Sequence, residues 1–230
     1  MENVLEKIRG TVVVSVQAMP SEPLYHEKCM AAMMKSVLNG GAGGLRVAGV
    51  RDIVNAKKIS KVPVIGITKP DKIPSNYKEI VYITPTIKDV LDIIRAGADI
   101  VALDGTQRKR PNNEKIKDLI KYIHIYKKIA MADISTTEEG LLAQEAGADV
   151  LSTTLAGYTM ESLSSPQNEP DFKLLEELVK QSKLPVILEG RIWTPEQVNR
   201  AFELGAHAVV IGSAITRPQL ITKRFVFREK

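Results

Sequence analysis

Only one cysteine occurs in 230 residues, Cys29, which excludes an internal disulfide framework and suits a reducing cytoplasm. It lies in an apolar stretch with Met30, Met33 and Met34, which predicts a buried core thiol rather than a nucleophile. Histidine is scarce as well. His26, His124 and His207 lie far apart and none falls at the C-terminal end of a predicted strand, so no metal site is expected. No Walker loop is present, and no Gly-x-Gly-x-x-Gly follows the first strand. No apolar run approaches the roughly 18 residues of a membrane span, and Met1-Glu2-Asn3-Val4 has no secretory pattern, so a cytoplasmic protein without membrane association is expected. The net charge of +5 is mild although the pI is about 9.2. Basic residues are spread over predicted helices with few aromatics between them, which argues against a nucleic-acid partner. The one cluster, Lys223-Arg224-Phe225-Val226-Phe227-Arg228, reads as a solvated helix end, and Trp193 as a packing residue. A modest positive field suits an anionic small substrate.

What the chain does contain is a repeated phrase. Ala96-Gly97-Ala98-Asp99 leads into Ile100-Val101-Ala102-Leu103, and Ala146-Gly147-Ala148-Asp149 leads into Val150-Leu151-Ser152-Thr153. Leu204-Gly205-Ala206-His207 before Ala208-Val209-Val210-Ile211 is a degraded copy, and Gly41-Ala42-Gly43-Gly44 before Leu45-Arg46-Val47 a fainter one. The glycines at 41, 97, 147 and 205 stand 56, 50 and 58 residues apart. Each copy reads as a helix ending on a glycine C-cap and dropping into a buried strand. Such an interval holds two strand–helix units, so four copies imply eight. That is an α/β chain folded as one (β/α)8 TIM barrel over residues 1–230.

The predicted strands are Thr11 to Val16, Gly44 to Val47, Val62 to Thr68, Ile100 to Leu103, Ile129 to Ala132, Val150 to Thr153, Pro185 to Leu188 and Ala208 to Ile211. They are apolar almost throughout, as parallel strands covered by helices are. Helix starts are marked by Thr86 with Asp89, Ser135 with Glu138, and Thr194 with Gln197 followed by Pro195 at the first position. Glu2 to Arg9 reads as a short extra helix, with Leu5 and Ile8 on one face and Gly10 ending it, so that residues 1–10 cap the barrel bottom. Two long connections follow strands: Lys69 to Pro85, with a short strand expected around Ile80 to Ile83, and Leu155 to Pro170.

Chemistry in this fold belongs at the C-terminal ends of the strands. There the sequence offers Gln17, Arg46, Lys69, Asp104, Asp133, Thr153 with Thr154, Glu189 and Gly212, which suggests a polar site at one mouth. Gly190 and Gly212, in the loops after strands 7 and 8, let backbone N–H groups approach a phosphate, with Arg191 or Arg217 adding charge-assisted bonds. Lys69 is the best candidate base, since burial and a nearby Arg46 would lower its pKa. A structural lysine paired with Asp104 or Glu189 is the alternative, and a Schiff base is a third use.

Several runs together resemble the N-acetylmannosamine-6-phosphate 2-epimerases, bacterial enzymes of sialic acid catabolism. They are Val16-Gln17-Ala18-Met19-Pro20, Pro63 to Lys69, Val101 to Thr106, Met131 to Thr136, Thr153 to Thr159, Leu188-Glu189-Gly190 and Gly212 to Pro218. The resemblance covers nearly the whole chain; the departure is an N-terminal extension, Met1 to Arg9, longer than in some relatives. It implies interconversion of N-acetylmannosamine 6-phosphate and N-acetylglucosamine 6-phosphate without redox cofactor or metal. It also implies Lys69 and Glu189 as catalytic residues and Gln17, Arg46 and Asp133 as sugar contacts. Thr154 and Tyr158, in a matching run, join the substrate-binding set, and Gly190, Arg191, Gly212, Ser213 and Arg217 form the phosphate set. A homodimer is plausible for the family, with the terminal helix bearing Phe225 and Phe227 as a candidate interface; packing of that helix on its own barrel is the alternative. Other phosphate-binding barrels, of tryptophan or thiamine biosynthesis, would not require Gln17 together with Arg46 and Lys69. A non-catalytic sugar-phosphate sensor would not need both Lys69 and Glu189.

Overall fold

A computed structural model describes residues 4–226. The chain runs α1 Val4–Ile8, β1 Val12–Val16, α2 Glu27–Asn39, β2 Gly44–Ala48, α3 Val50–Ile59 and β3 Val64–Ile67. It continues α4 Ile87–Arg95, β4 Ile100–Asp104, α5 Ile116–Ile125, β5 Ile129–Asp133, α6 Thr137–Glu145 and β6 Val150–Ser152. Last come α7 Phe172–Gln181, β7 Val186–Glu189, α8 Pro195–Glu203, β8 Ala208–Ile211, α9 Ser213–Thr216 and α10 Pro218–Val226. The strands are parallel and close in chain order, β8 pairing with β1 through Val12↔Val209, Val13↔Val210 and Val14↔Ile211. This is the expected (β/α)8 barrel.

The repeated phrase has a backbone cause. Gly41, Gly97, Gly147 and Gly205 all take positive φ, between 92° and 102°. Around each, the two N–H groups that follow the helix turn back into it, as Gly97 N–H to Ile94 O at 3.0 Å and Ala98 N–H to Ile93 O at 3.4 Å illustrate. This is the Schellman termination, which favours glycine at the left-handed position. The aspartates that follow serve the neighbouring strand: Asp99 Oδ2 accepts from Val64 N–H at 2.9 Å, and Asp149 Oδ2 from Ala130 N–H at 2.7 Å. In the first copy this place is Gly43, where a Cβ would stand 2.3 Å from Thr11 Oγ1, so the aspartate is lost for want of room.

Alternation along each strand splits the core in two. Val14, Val16, Leu45, Val47, Val101, Leu103, Leu151 and Leu188 face the helices. Val13, Ile65, Ile67, Ile100, Ala102, Met131, Val150, Ile187 and Val210 fill the barrel, closed from below by Ile8 of α1 with Leu5 beside it. His207 Nε2 lies 2.9 Å from Leu5 O and ties that helix down.

Three local expectations change. The N-cap of α6 is Thr136 with Glu139, not Ser135 with Glu138. Ser135 instead donates its hydroxyl to Glu139 at 2.6 Å and lies 2.8 Å from the Thr159 hydroxyl. Residues 80–83 form no strand beyond one bridge, Ile80↔Lys109. Cys29 is half-buried, because Met30 and Met34 take the inward face of α2. By contrast, α10 does meet its own barrel, Arg224 lying over the Trp193 ring and Gln219 Nε2 donating to Glu22 Oε1 at 2.9 Å, although none of its residues is fully buried and Phe225 is 85% exposed; Phe227 lies outside the described residues.

Candidate active site

The inward register of the strands carries straight to the mouth. The same parity that places Val13, Ile65, Met131, Ile187 and Val210 inside places Gln17, Lys69, Asp133, Glu189 and Gly212 above them. A cavity of about 520 Å³ opens there. It is lined by Gln17, Lys69, Thr154, Tyr158, Glu189, Gly190, Arg191, Gly212, Ser213 and Arg217 among the residues named from sequence. Ser15, Ile73, Tyr82, Ile83 and Trp193 also line it and were not singled out as site residues. The first of these stands two residues before Gln17, where parity alone would have found it.

Arg46 and Asp133 lie beneath this cavity, 1% and 0% exposed. Arg46 grips Asp133 with both ends of its fork, Nη1 to Oδ1 at 3.0 Å and Nη2 to Oδ2 at 2.5 Å. Nη1 also stands 3.0 Å from Glu189 Oε2, and the Nε–H is left without a partner among the described residues. Thr154 Oγ1 is 2.8 Å from Asp133 Oδ1 and 3.0 Å from Glu189 Oε2. A hydroxyl has one hydrogen and donates to only one of them at a time. Burial pushes the Glu189 carboxyl above its usual range and Asp133 adds to this, against the opposing pull of Arg46. A proton on Glu189 at that contact would resolve the shared hydroxyl.

Lys69 Nζ donates to Gln17 Oε1 at 2.8 Å, and Gln17 Nε2 donates to Ser15 Oγ at 2.8 Å. Ammonium can only donate, so the amide oxygen must face it. Neither Asp104 nor Glu189 is its hydrogen-bond partner. Burial of the amine, with Arg46 next in effect, lowers the Lys69 pKa to about 8, although Glu189 and Asp133 pull the other way.

Other sequence candidates are diverted. Asp104 leaves the cavity and pairs with Arg108. Arg191, at φ 57°, donates to Ala156 O at 2.7 Å and stacks 4.6 Å from the Tyr158 ring centroid, joining the loops after β6 and β7. Arg217 pairs with Glu22 at 3.1 Å. Gly190 has φ 112°, open to a ligand, and Gly212 precedes α9. Trp193 does present its ring to a cation, Arg224 of α10 lying 4.2 Å from its centroid.

A family model described as "Putative N-acetylmannosamine-6-phosphate epimerase" matches residues 30–230. The chain belongs to the N-acetylmannosamine-6-phosphate epimerase family. A putative N-acetylmannosamine-6-phosphate 2-epimerase of Clostridium perfringens (ATCC 13124) is 50% identical over 222 residues, covering 96% of this chain and 97% of that one. A relative of the same description from Clostridioides difficile (strain 630) is 48% identical over 223 residues, 96% and 97% covered. Among solved structures, an N-acetylmannosamine-6-phosphate 2-epimerase from Clostridium perfringens matches with TM-score 0.91 at 48% identity, covering 97% and 95%. A thiamine phosphate pyrophosphorylase from Pyrococcus furiosus, at 16% identity and TM-score 0.62, shares the fold alone. No helix among the described residues of this epimerase-family chain is long and apolar enough to cross a membrane.

Proposed function

We propose that the chain interconverts N-acetylmannosamine 6-phosphate and N-acetylglucosamine 6-phosphate by moving the proton on C2. The carrying observation is one amine of lowered pKa, Lys69, at a cavity whose floor holds a charged Arg46–Asp133 pair and a carboxyl, Glu189, of raised pKa. A base lowered and an acid raised are both drawn toward the working pH, as groups that exchange protons in catalysis are.

The C2 proton is acidic only beside a carbonyl, so the ring opens first. The C1–O5 bond breaks, O5 takes a proton and the C1 hydroxyl loses one; Glu189, protonated and shared with Thr154, is suited to that exchange. Neutral Lys69 then takes the C2 proton. The electron pair of the C–H bond enters the C1–C2 bond, and negative charge gathers on the C1 oxygen, where the Arg46 charge stabilises it. Glu189, which regained a proton in the ring opening, gives it to the other face of C2; the C1 carbonyl re-forms, the C5 hydroxyl adds to it to close the ring, and exchange with solvent resets Lys69 and Glu189. Gln17 holds Lys69, and Asp133 keeps Arg46 oriented. Backbone groups at Gly190, Gly212 and Ser213 receive the 6-phosphate, with Arg217 and Arg191 exchanging Glu22 and Ala156 for it; Tyr158 moves with Arg191. A phosphate so held fixes the reacting carbon. Incubation with N-acetylmannosamine 6-phosphate in deuterated water, followed by proton NMR, is expected to show the epimer with deuterium at C2. Lys69→Ala should abolish the exchange, and exchange that persists in it overturns the assignment.

We further propose that the enzyme acts in the cytoplasm, in amino sugar catabolism, as a homodimer. Supporting the dimer, an outer groove of about 940 Å³ between α2 and α8 is open, with Val12, Val14, Met33, Val37, Val198 and Ile211 on its walls. The outer face of α10 leaves Phe225 and Val226 exposed, and a second copy would cover both. Light scattering should give twice the chain mass, falling to one chain mass in Phe225→Asp; a monomeric wild type refutes it.

A further inference from the structure

The connection from Lys69 to Pro85 has no regular element, yet it builds one wall of the cavity with Tyr82 and Ile83. It wedges between the exits of β3 and β4: Thr84 N–H donates to Thr68 O at 3.1 Å, and Asp104 N–H to Ile83 O at 3.3 Å. Its outer side is held by Arg108, whose side chain is 4% exposed. Nη1 donates to Tyr77 O at 2.7 Å, Nε to Thr106 Oγ1 at 2.9 Å, and Nη2 to the Asp104 carboxylate. Asp104 is itself fully buried and accepts from Thr106 N–H at 3.0 Å and from its hydroxyl at 2.7 Å. Neither Arg108 nor Asp104 lines the cavity.

A buried ion pair is weak ground for stability, since desolvation offsets its attraction. A planar fork with acceptors on two segments, the Lys69–Pro85 connection and the exit of β4, by contrast, fixes geometry. We infer that Arg108, anchored by Asp104, is a positioning residue of the active site, setting the wall at Tyr82 and Ile83 through the backbone of Tyr77. The two tyrosines are mechanically linked, their rings meeting edge to face at 6.4 Å and 86°. Lys69 has its own support from Gln17, so loosening this wall affects substrate binding before proton transfer. The inference rests on the epimerase reading above.

Steady-state epimerisation by wild type, Arg108→Gln, Tyr82→Ala and the double variant tests it, with thermal unfolding alongside. Each single variant is expected to raise KM about tenfold with kcat within about threefold, and the double variant to be no worse than the more severe single one. KM effects that multiply independently, or a fall in kcat at unchanged KM, overturn the inference. If Arg108→Gln does not fold, Arg108→Lys keeps the charge beside Asp104 and loses the fork. Raised KM in that variant at a near wild-type Tm supports the inference, and wild-type KM sinks it. An inactive wild type instead removes the epimerase reading, and this inference with it.

Discussion

Gln17 presents its amide oxygen to the amine of Lys69 at 2.8 Å, while its amide nitrogen is spent on Ser15. The contact works with Glu189 and Asp133 against the two largest influences on that amine, burial and the Arg46 charge. A hydrogen bond accepted from ammonium favours the charged form, whereas burial and Arg46 favour the neutral one. As a base, Lys69 must be neutral, so kcat/KM should climb about tenfold per pH unit below its pKa of about 8 and level above it. Gln17→Leu removes an acceptor, so the rising limb should move to lower pH while the plateau falls about tenfold from lost orientation. A limb that moves to higher pH contradicts this account; pH–rate profiles of both proteins decide it.

The same amine weakens the fold. Its folded pKa of about 8 lies below the ordinary 10.5, so the unfolded chain binds more protons between those values and stability rises with pH across them. Below pH 8 both states are protonated, and the full cost of burying the charge is present. Lys69→Met should therefore unfold at a higher Tm than wild type at pH 7, with the gap closing as pH approaches 10.5. An unchanged gap across that range would show that the amine is fully hydrated.

Arg46 and Asp133 form a fully desolvated pair within the barrel. Removing one partner strands the other, so Asp133→Leu or Arg46→Met alone should cost about 3–5 kcal/mol in urea unfolding. The double replacement should cost clearly less than the sum of the two. Additive losses would mean that the groups do not stabilise each other. All three variants should lack measurable epimerisation.

Gly66 sits on the outer face of β3, where a Cβ would lie 2.7 Å from Ile93 Cγ2 and 2.9 Å from both Ala98 Cβ and Ile53 Cδ1. Gly66→Ala should cost about 1–3 kcal/mol through overpacking. The adjacent inward residues, Ile65 and Ile67, keep their places below Lys69, so KM should stay near wild type in the protein that folds. Urea unfolding and initial rates on one preparation separate the two effects.

Local order could be read from the chain alone, because its causes lie within a few residues. A glycine at left-handed φ ends a helix by bonds that span five residues, and it does so at 41, 97, 147 and 205. Side-chain alternation then brought Gln17, Lys69, Asp133 and Glu189 to one mouth without reference to any distant contact. The partners of those groups were another matter. Asp104 shares the inward parity yet is taken by Arg108; Arg191 is turned to a loop carbonyl 35 residues back; and Arg217 meets Glu22 where β8 closes onto β1. Which of two adjacent hydroxyls caps α6 depended on Thr159 standing opposite Ser135, and the seat of α10 depended on Glu22 and Trp193 meeting Gln219 and Arg224. Pairings of this kind are settled when closure of the sheet sets strands side by side and burial obliges each charge to find the nearest available counter-charge, a choice that no periodicity along the chain encodes.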